Sequence, residues 1–94
     1  MYGKELNSVG IVAKEKNFFV VKKVLTAGSL IEKHNHSGKN ILFTVVKGEV
    51  LVYLNESEQH HLTPGTVLQF DGENFINAKA LKDSQVFVTL INKN

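Results

Sequence analysis

The sequence predicts an all-β barrel folded as one domain over residues 1–94. Three observations carry that prediction. Turn-forming residues punctuate the chain at short, regular intervals. The runs between them are rich in Val, Ile, Leu and Phe. No window carries a helical apolar stripe with caps.

The turn signals come in order as Lys16-Asn17, Ala27-Gly28, Ser37-Gly38, Lys47-Gly48, Asn55-Glu56-Ser57, Pro64-Gly65, Asp71-Gly72 and Lys82-Asp83-Ser84. They recur about every 7 to 11 residues, the spacing of short strands in a sandwich or barrel. The apolar runs between them are Phe18–Leu25, 41–46, Val50–Leu54, 66–70 and 86–91. β-Branched and aromatic residues suit the pleated surface of a strand.

Alternation assigns the faces. Ile41, Phe43 and Val45 share one face of their run, with Leu42 and Val46 on the other. Both faces are apolar there, and again in 50–54 and 86–91. A strand covered on one side only should alternate apolar with polar. The second apolar face therefore predicts a cover, either another sheet of the same domain or a second subunit, and a homodimer is expected. The length points the same way, because a chain of 94 residues buries only about 60–65% of its unfolded surface and is marginal alone.

Composition narrows the function classes. The net charge is only +2, and all eleven basic residues are lysines. Arginine, the bidentate reader of phosphates and guanine edges, is missing, so no nucleic-acid partner is expected. No run approaches the roughly 20 apolar residues of a membrane helix, and no membrane partner is expected. Cysteine is absent, which rules out disulfides and thiolate metal sites. The start Met1-Tyr2-Gly3-Lys4-Glu5 has no apolar run after its charge and does not read as a signal peptide. Both features lead us to expect a cytoplasmic protein.

One segment carries chemistry. From Gly28 the spacing runs five residues to His34, one to His36, four to Ile41 and six to Gly48. This resembles the first motif of the cupin superfamily, in which the position held here by Ile41 is a glutamate. Residues 62–84, with Pro64-Gly65 and Asp71-Gly72, look like the second motif. There Ile76 falls at the place of a third histidine, and Thr66 replaces the Asp of a Gly-Asp turn. The resemblance spans roughly residues 18–91. It implies a double-stranded β-helix, a jelly-roll barrel with a degenerate metal site.

Apart from the family, strand parity makes His34 and His36 point the same way. Two inward imidazoles about 7 Å apart along a strand can converge on one cation. Neutral imidazole suits Zn, Fe or Ni, so the expected cofactor is a divalent transition metal (Zn, Fe, Ni or Mn) or none. A catalytic metal site usually has three protein ligands and one open position. The resemblance implies further ligands at positions 41 and 76, where Ile41 and Ile76 supply no donor, so the pair is half of a metal site. The candidate ligand-binding residues are His34, His36, Ile41, Phe43 and Ile76, around a small molecule. Glu32 shares the parity of the histidines, Asn40 stands at a shorter glutamate spacing, and Gln69 and Asn74 are further polar candidates. His60 and His61 read as exposed loop histidines beside a hairpin turn. Two uses of the pocket follow: binding a small molecule without catalysis, or a metal-dependent oxygenase or isomerase reaction. A purely structural module is the third reading, and fold alone does not decide among them.

Overall fold

The computed structural model describes residues 2–93, with strands and no helix among them. Nine strands follow in order: β1 (Gly10–Lys14), β2 (Phe18–Leu25), β3 (Leu30–His34), β4 (Lys39–Lys47), β5 (Val50–Leu54), β6 (Glu58–Leu62), β7 (Val67–Asp71), β8 (Ile76–Ala80) and β9 (Ser84–Asn92). Each of the eight turn signals falls at one of the junctions between successive strands. The five apolar runs became β2, β4, β5, β7 and β9. The other four strands are short. β1, β3 and β6 lie at sheet edges, where little apolar surface is required, and β8 fills its inner face largely with alanine. No helix is long and apolar enough to cross a membrane.

The strands form two antiparallel sheets, one ordered β1-β2-β9-β4-β7 and the other β3-β8-β5-β6. Successive strands often change sheet, as β4 and β5 do, so the sheets face each other as the halves of a barrel. The core lies between them. Ile41, Phe43 and Val45 from β4 and Val86, Val88 and Leu90 from β9 meet Val50, Val52 and Leu54 from β5 and Ile76 and Ala78 from β8. All of these are buried, at every second position of their strands, as alternation predicts.

The outer face of the five-stranded sheet holds the opposite parity. Leu42 pairs with Thr89 and Thr44 with Phe87, while Val20 pairs with Thr89 and Phe18 with Ile91. Lys22 on this face donates to the Asn7 carbonyl at 3.2 Å, and Phe18, Val24, Val46 and Val67 on it are exposed.

A cleft at the barrel mouth lined by two histidines and a lysine

β3 carries the first histidine and ends there. His34 pairs across the sheet with Ile76 of β8, so the residue at the third-histidine position lies directly beside the first histidine. His36 stands beyond the strand, in the loop leading to β4. Its orientation is therefore set by the loop and not by strand parity, which corrects the expectation of two histidines along one strand. The rings nevertheless meet edge to face, with centroids 4.7 Å apart and planes at 89°.

Gly72 clamps that loop through two of its hydrogen bonds. The His36 N–H donates to the Gly72 carbonyl at 2.8 Å, and the Gly72 N–H donates to the Lys39 carbonyl at 2.8 Å. A side chain at Gly72 would overlap the His36 carbonyl oxygen and stand 2.7 Å from that of Lys39. Glycine at position 72 is what lets the β7–β8 turn clamp the histidine loop. In the sequence it reads only as a turn residue.

His34 is fixed differently. Its Nδ1 lies 2.7 Å from the backbone oxygen of Glu32. A carbonyl only accepts, so Nδ1 carries the proton and Nε2 keeps its lone pair in the neutral ring. Glu32 thus contributes its backbone, and its side chain is exposed. The reason is a bulge in the β3–β8 register between Ile31 and His34. An extra residue there reverses parity: Ile31 packs against the core, whereas Leu30 and Glu32 face outward.

The five residues expected to bind a ligand come together. His34, His36, Ile41, Phe43 and Ile76 line one cleft, joined by Lys23, Ile31, Phe70 and Val88. Its water-accessible volume is about 30 Å³, room for about two water molecules. Ile41, Phe43 and Ile76 are buried and form an apolar floor. The polar rim consists of Lys23 and the two histidines, and among the described residues no carboxylate lines it. Lys23 is the residue that sequence reasoning missed. It shares the inward parity of Phe19, Val21 and Leu25 in β2, which pack against the core. That parity is visible in the sequence, and a lysine in the core row was the available signal.

The other candidates stand apart from the cleft. Asn40 pairs with Asp71 and Ile91, and Gln69 with Leu42, which puts both on the outer face. Asn74 accepts a hydrogen bond from Asn55 at 2.8 Å and braces a turn. His60 and His61 are not in a loop but in β6. Successive strand residues point to opposite faces, so the two cannot share a cation. His60 meets Glu58 at 2.5 Å and His61 meets Glu49 at 3.2 Å.

The electrostatics of the rim disfavour cations. The pKa of His36 is lowered from 6.5, first by burial and then by the charges of His34, Lys23 and Lys39. The unfolded chain therefore binds more protons than the folded one between the lowered value and 6.5. The stability contributed by neutral His36 is complete above pH 6.5 and is lost as the pH falls through the folded value. Titration of the histidine rings by NMR should give His36 a midpoint below 6.5, and a midpoint above 6.5 would contradict this electrostatic picture. A transition metal fits the site poorly for the same reasons. Among the described residues no group of three His, Asp or Glu side chains is placed to hold an ion. Two imidazoles with isoleucines at the remaining positions and a lysine on the rim make an incomplete, electropositive donor set.

Comparison with known proteins bears on the fold. No protein-family profile matches the chain, and no curated protein does. Solved structures match over nearly all of it. KdgF from Halomonas sp. aligns with a TM-score of 0.81 at 23% identity, covering 97% of this chain and 88% of that one. An RmlC-like cupin family protein with a double-stranded β-helix fold from Methanocaldococcus jannaschii gives 0.83 at 18% identity, over 98% and 93% of the two chains. An RmlC-like cupin protein from Desulfovibrio desulfuricans gives 0.81 at 20% identity, over 97% and 91%. Two facing antiparallel sheets, with solved structures of that fold matching almost the whole chain, give this protein the cupin fold, a small double-stranded β-helix.

Proposed function

We propose that the protein binds a small molecule in the cleft at the barrel mouth without needing a bound metal, as a sensor, carrier or accessory subunit. The observation that carries this reading is the composition of the cleft. Lys23, His34 and His36 converge over a floor of Ile41, Phe43 and Ile76, where Ile41 and Ile76 hold positions that a metal site would give to donors. Pockets of this kind use a few placed polar groups for orientation and apolar walls for affinity. The cysteine-free composition suits a reducing compartment, and the reading includes a cytoplasmic location.

Metal analysis tests the reading against the metal-dependent oxygenase or isomerase alternative. The protein is purified without a histidine tag and its metal content measured by plasma mass spectrometry. The expected result is far less than one Zn, Fe, Ni or Mn per chain, unchanged on adding these ions and in His34→Ala/His36→Ala. Stoichiometric metal that vanishes in the double variant would overturn the metal-free reading.

The same reading includes a homodimer. Its support is the outer face of the five-stranded sheet, where Phe18, Val20, Leu42, Phe87 and Ile91 form an apolar surface. Lys22 also lies on this face, 6.0 Å from the Phe87 ring centroid. A two-fold axis would lay the face of one protomer on that of its partner, sheet on sheet. Sedimentation should show a dimer at micromolar concentration that Leu42→Glu converts to monomer. A wild-type monomer at that concentration would refute the dimer.

A further inference from the structure

Lys23 is out of place for a structural lysine. It pairs in register with the buried Val86, points into the barrel with Phe19 and Val21, and lines the cleft. Its ammonium makes no ion pair with any described residue, whereas Lys33, Lys82 and Lys93 each find a carboxylate. Lys23 lines the cleft beside the apolar Ile41, Phe43 and Ile76, with no carboxylate among the described lining residues to meet its charge. Beside it stand two imidazoles, and His34 has its Nδ1 proton already engaged with the Glu32 carbonyl.

We infer that the ligand of this cleft is a small organic carboxylate, its anionic end held by Lys23 and a ring N–H of His36 and its short apolar body lying on Ile41, Phe43 and Ile76. The inference rests on the small-molecule reading above and names the chemical class. Three features select the class. The rim is positive and lacks carboxylates, so a cationic ligand would meet Lys23 unscreened. The floor is apolar, so a neutral polyol such as a sugar would leave its hydroxyls unpaired there. One lysine and no arginine make a poor cradle for a phosphate dianion, which is usually met by bidentate or multiple cationic donors. The cleft volume of about 30 Å³ confines the seated part to a few heavy atoms.

The test is an NMR titration of the full chain at pH 7 with matched probes: butyrate and benzoate, butyramide and benzamide, butylammonium, and inorganic phosphate. The expected result is saturable shifts at His34, His36, Ile41 and Ile76 with the carboxylates, at least about tenfold tighter than with the amides, equivalent to about 1.4 kcal/mol. Lys23→Met keeps the side-chain stem and should remove most of that preference. Lys22→Met makes the same charge change on the outer face and should leave it intact. Lys23→Gln serves as a second variant, so that a folding defect in one cannot mask the result. Amides binding as tightly as carboxylates, phosphate binding more tightly than either, or a preference that survives both Lys23 variants would overturn the carboxylate assignment and leave the small-molecule reading standing. Failure of every probe to shift the cleft residues would overturn both.

Discussion

Gly48→Ala is expected to destabilise the fold by about 2–5 kcal/mol. Gly48 joins β4 to β5 where the chain leaves one sheet for the other, with φ at +86°. A Cβ there would overlap the Ser84 hydroxyl and the Asp83 carbonyl oxygen and stand 2.7 Å from the Ser84 Cα. Most of these atoms are backbone or are fixed by hydrogen bonds. The Ser84 hydroxyl donates to the Lys82 carbonyl at 2.7 Å, the Glu49 N–H donates to the same hydroxyl at 3.2 Å, and the Leu81 N–H donates to the Glu49 carbonyl at 2.9 Å. The substitution therefore adds steric overlap to left-handed backbone strain. Gly28→Ala is the control, since Gly28 has the same φ of +86° with nothing within 4 Å of the added carbon. It should lose only the strain, about 1–2 kcal/mol. Urea denaturation of both variants checks the result, and equal losses would show that the Ser84 contact yields freely.

Phe43→Ala is expected to cost about 3–5 kcal/mol, and Phe43→Leu less than about 1.5 kcal/mol. Phe43 is 2% exposed, and it both fills the centre of the core and forms part of the cleft floor. A domain of this size has about 5–14 kcal/mol of stability in total, so the alanine variant should unfold at a far lower urea concentration. A loss below 1 kcal/mol would mean that β4 and β9 collapse onto the vacated space. The two roles of Phe43 have a consequence for the site. The cleft cannot be enlarged at its floor without weakening the core, so changes in ligand size are better sought at the rim.

How much of this was legible in the sequence depends on the range over which each feature is decided. Turn chemistry is local, and all eight punctuation points fall at strand junctions, three of them overlapping a strand end. Face alternation is also local, and it put Ile41, Phe43 and Val45 inside. The short edge strands β1 and β6 were harder, because five residues with at most three apolar side chains carry little pattern. His60 and His61 were read as a loop for that reason. At the cleft, the spacing of Gly28, His34, His36 and Gly48 marked the location, and Ile41 and Ile76 marked what it lacks.

The sequence by itself determined the fold class, the strand faces and the identity of the two histidines, because each follows from residue type and short spacing along one chain segment. Only the tertiary structure decided how the cleft is assembled. The bulge between Ile31 and His34 turned Glu32 outward, the Gly72 clamp placed His36 beyond its strand, pairing of β3 with β8 put Ile76 beside His34, and closure of the two sheets brought Lys23 over the same floor. Pairing partners and bulges depend on how distant segments pack, and a linear pattern carries no term for that.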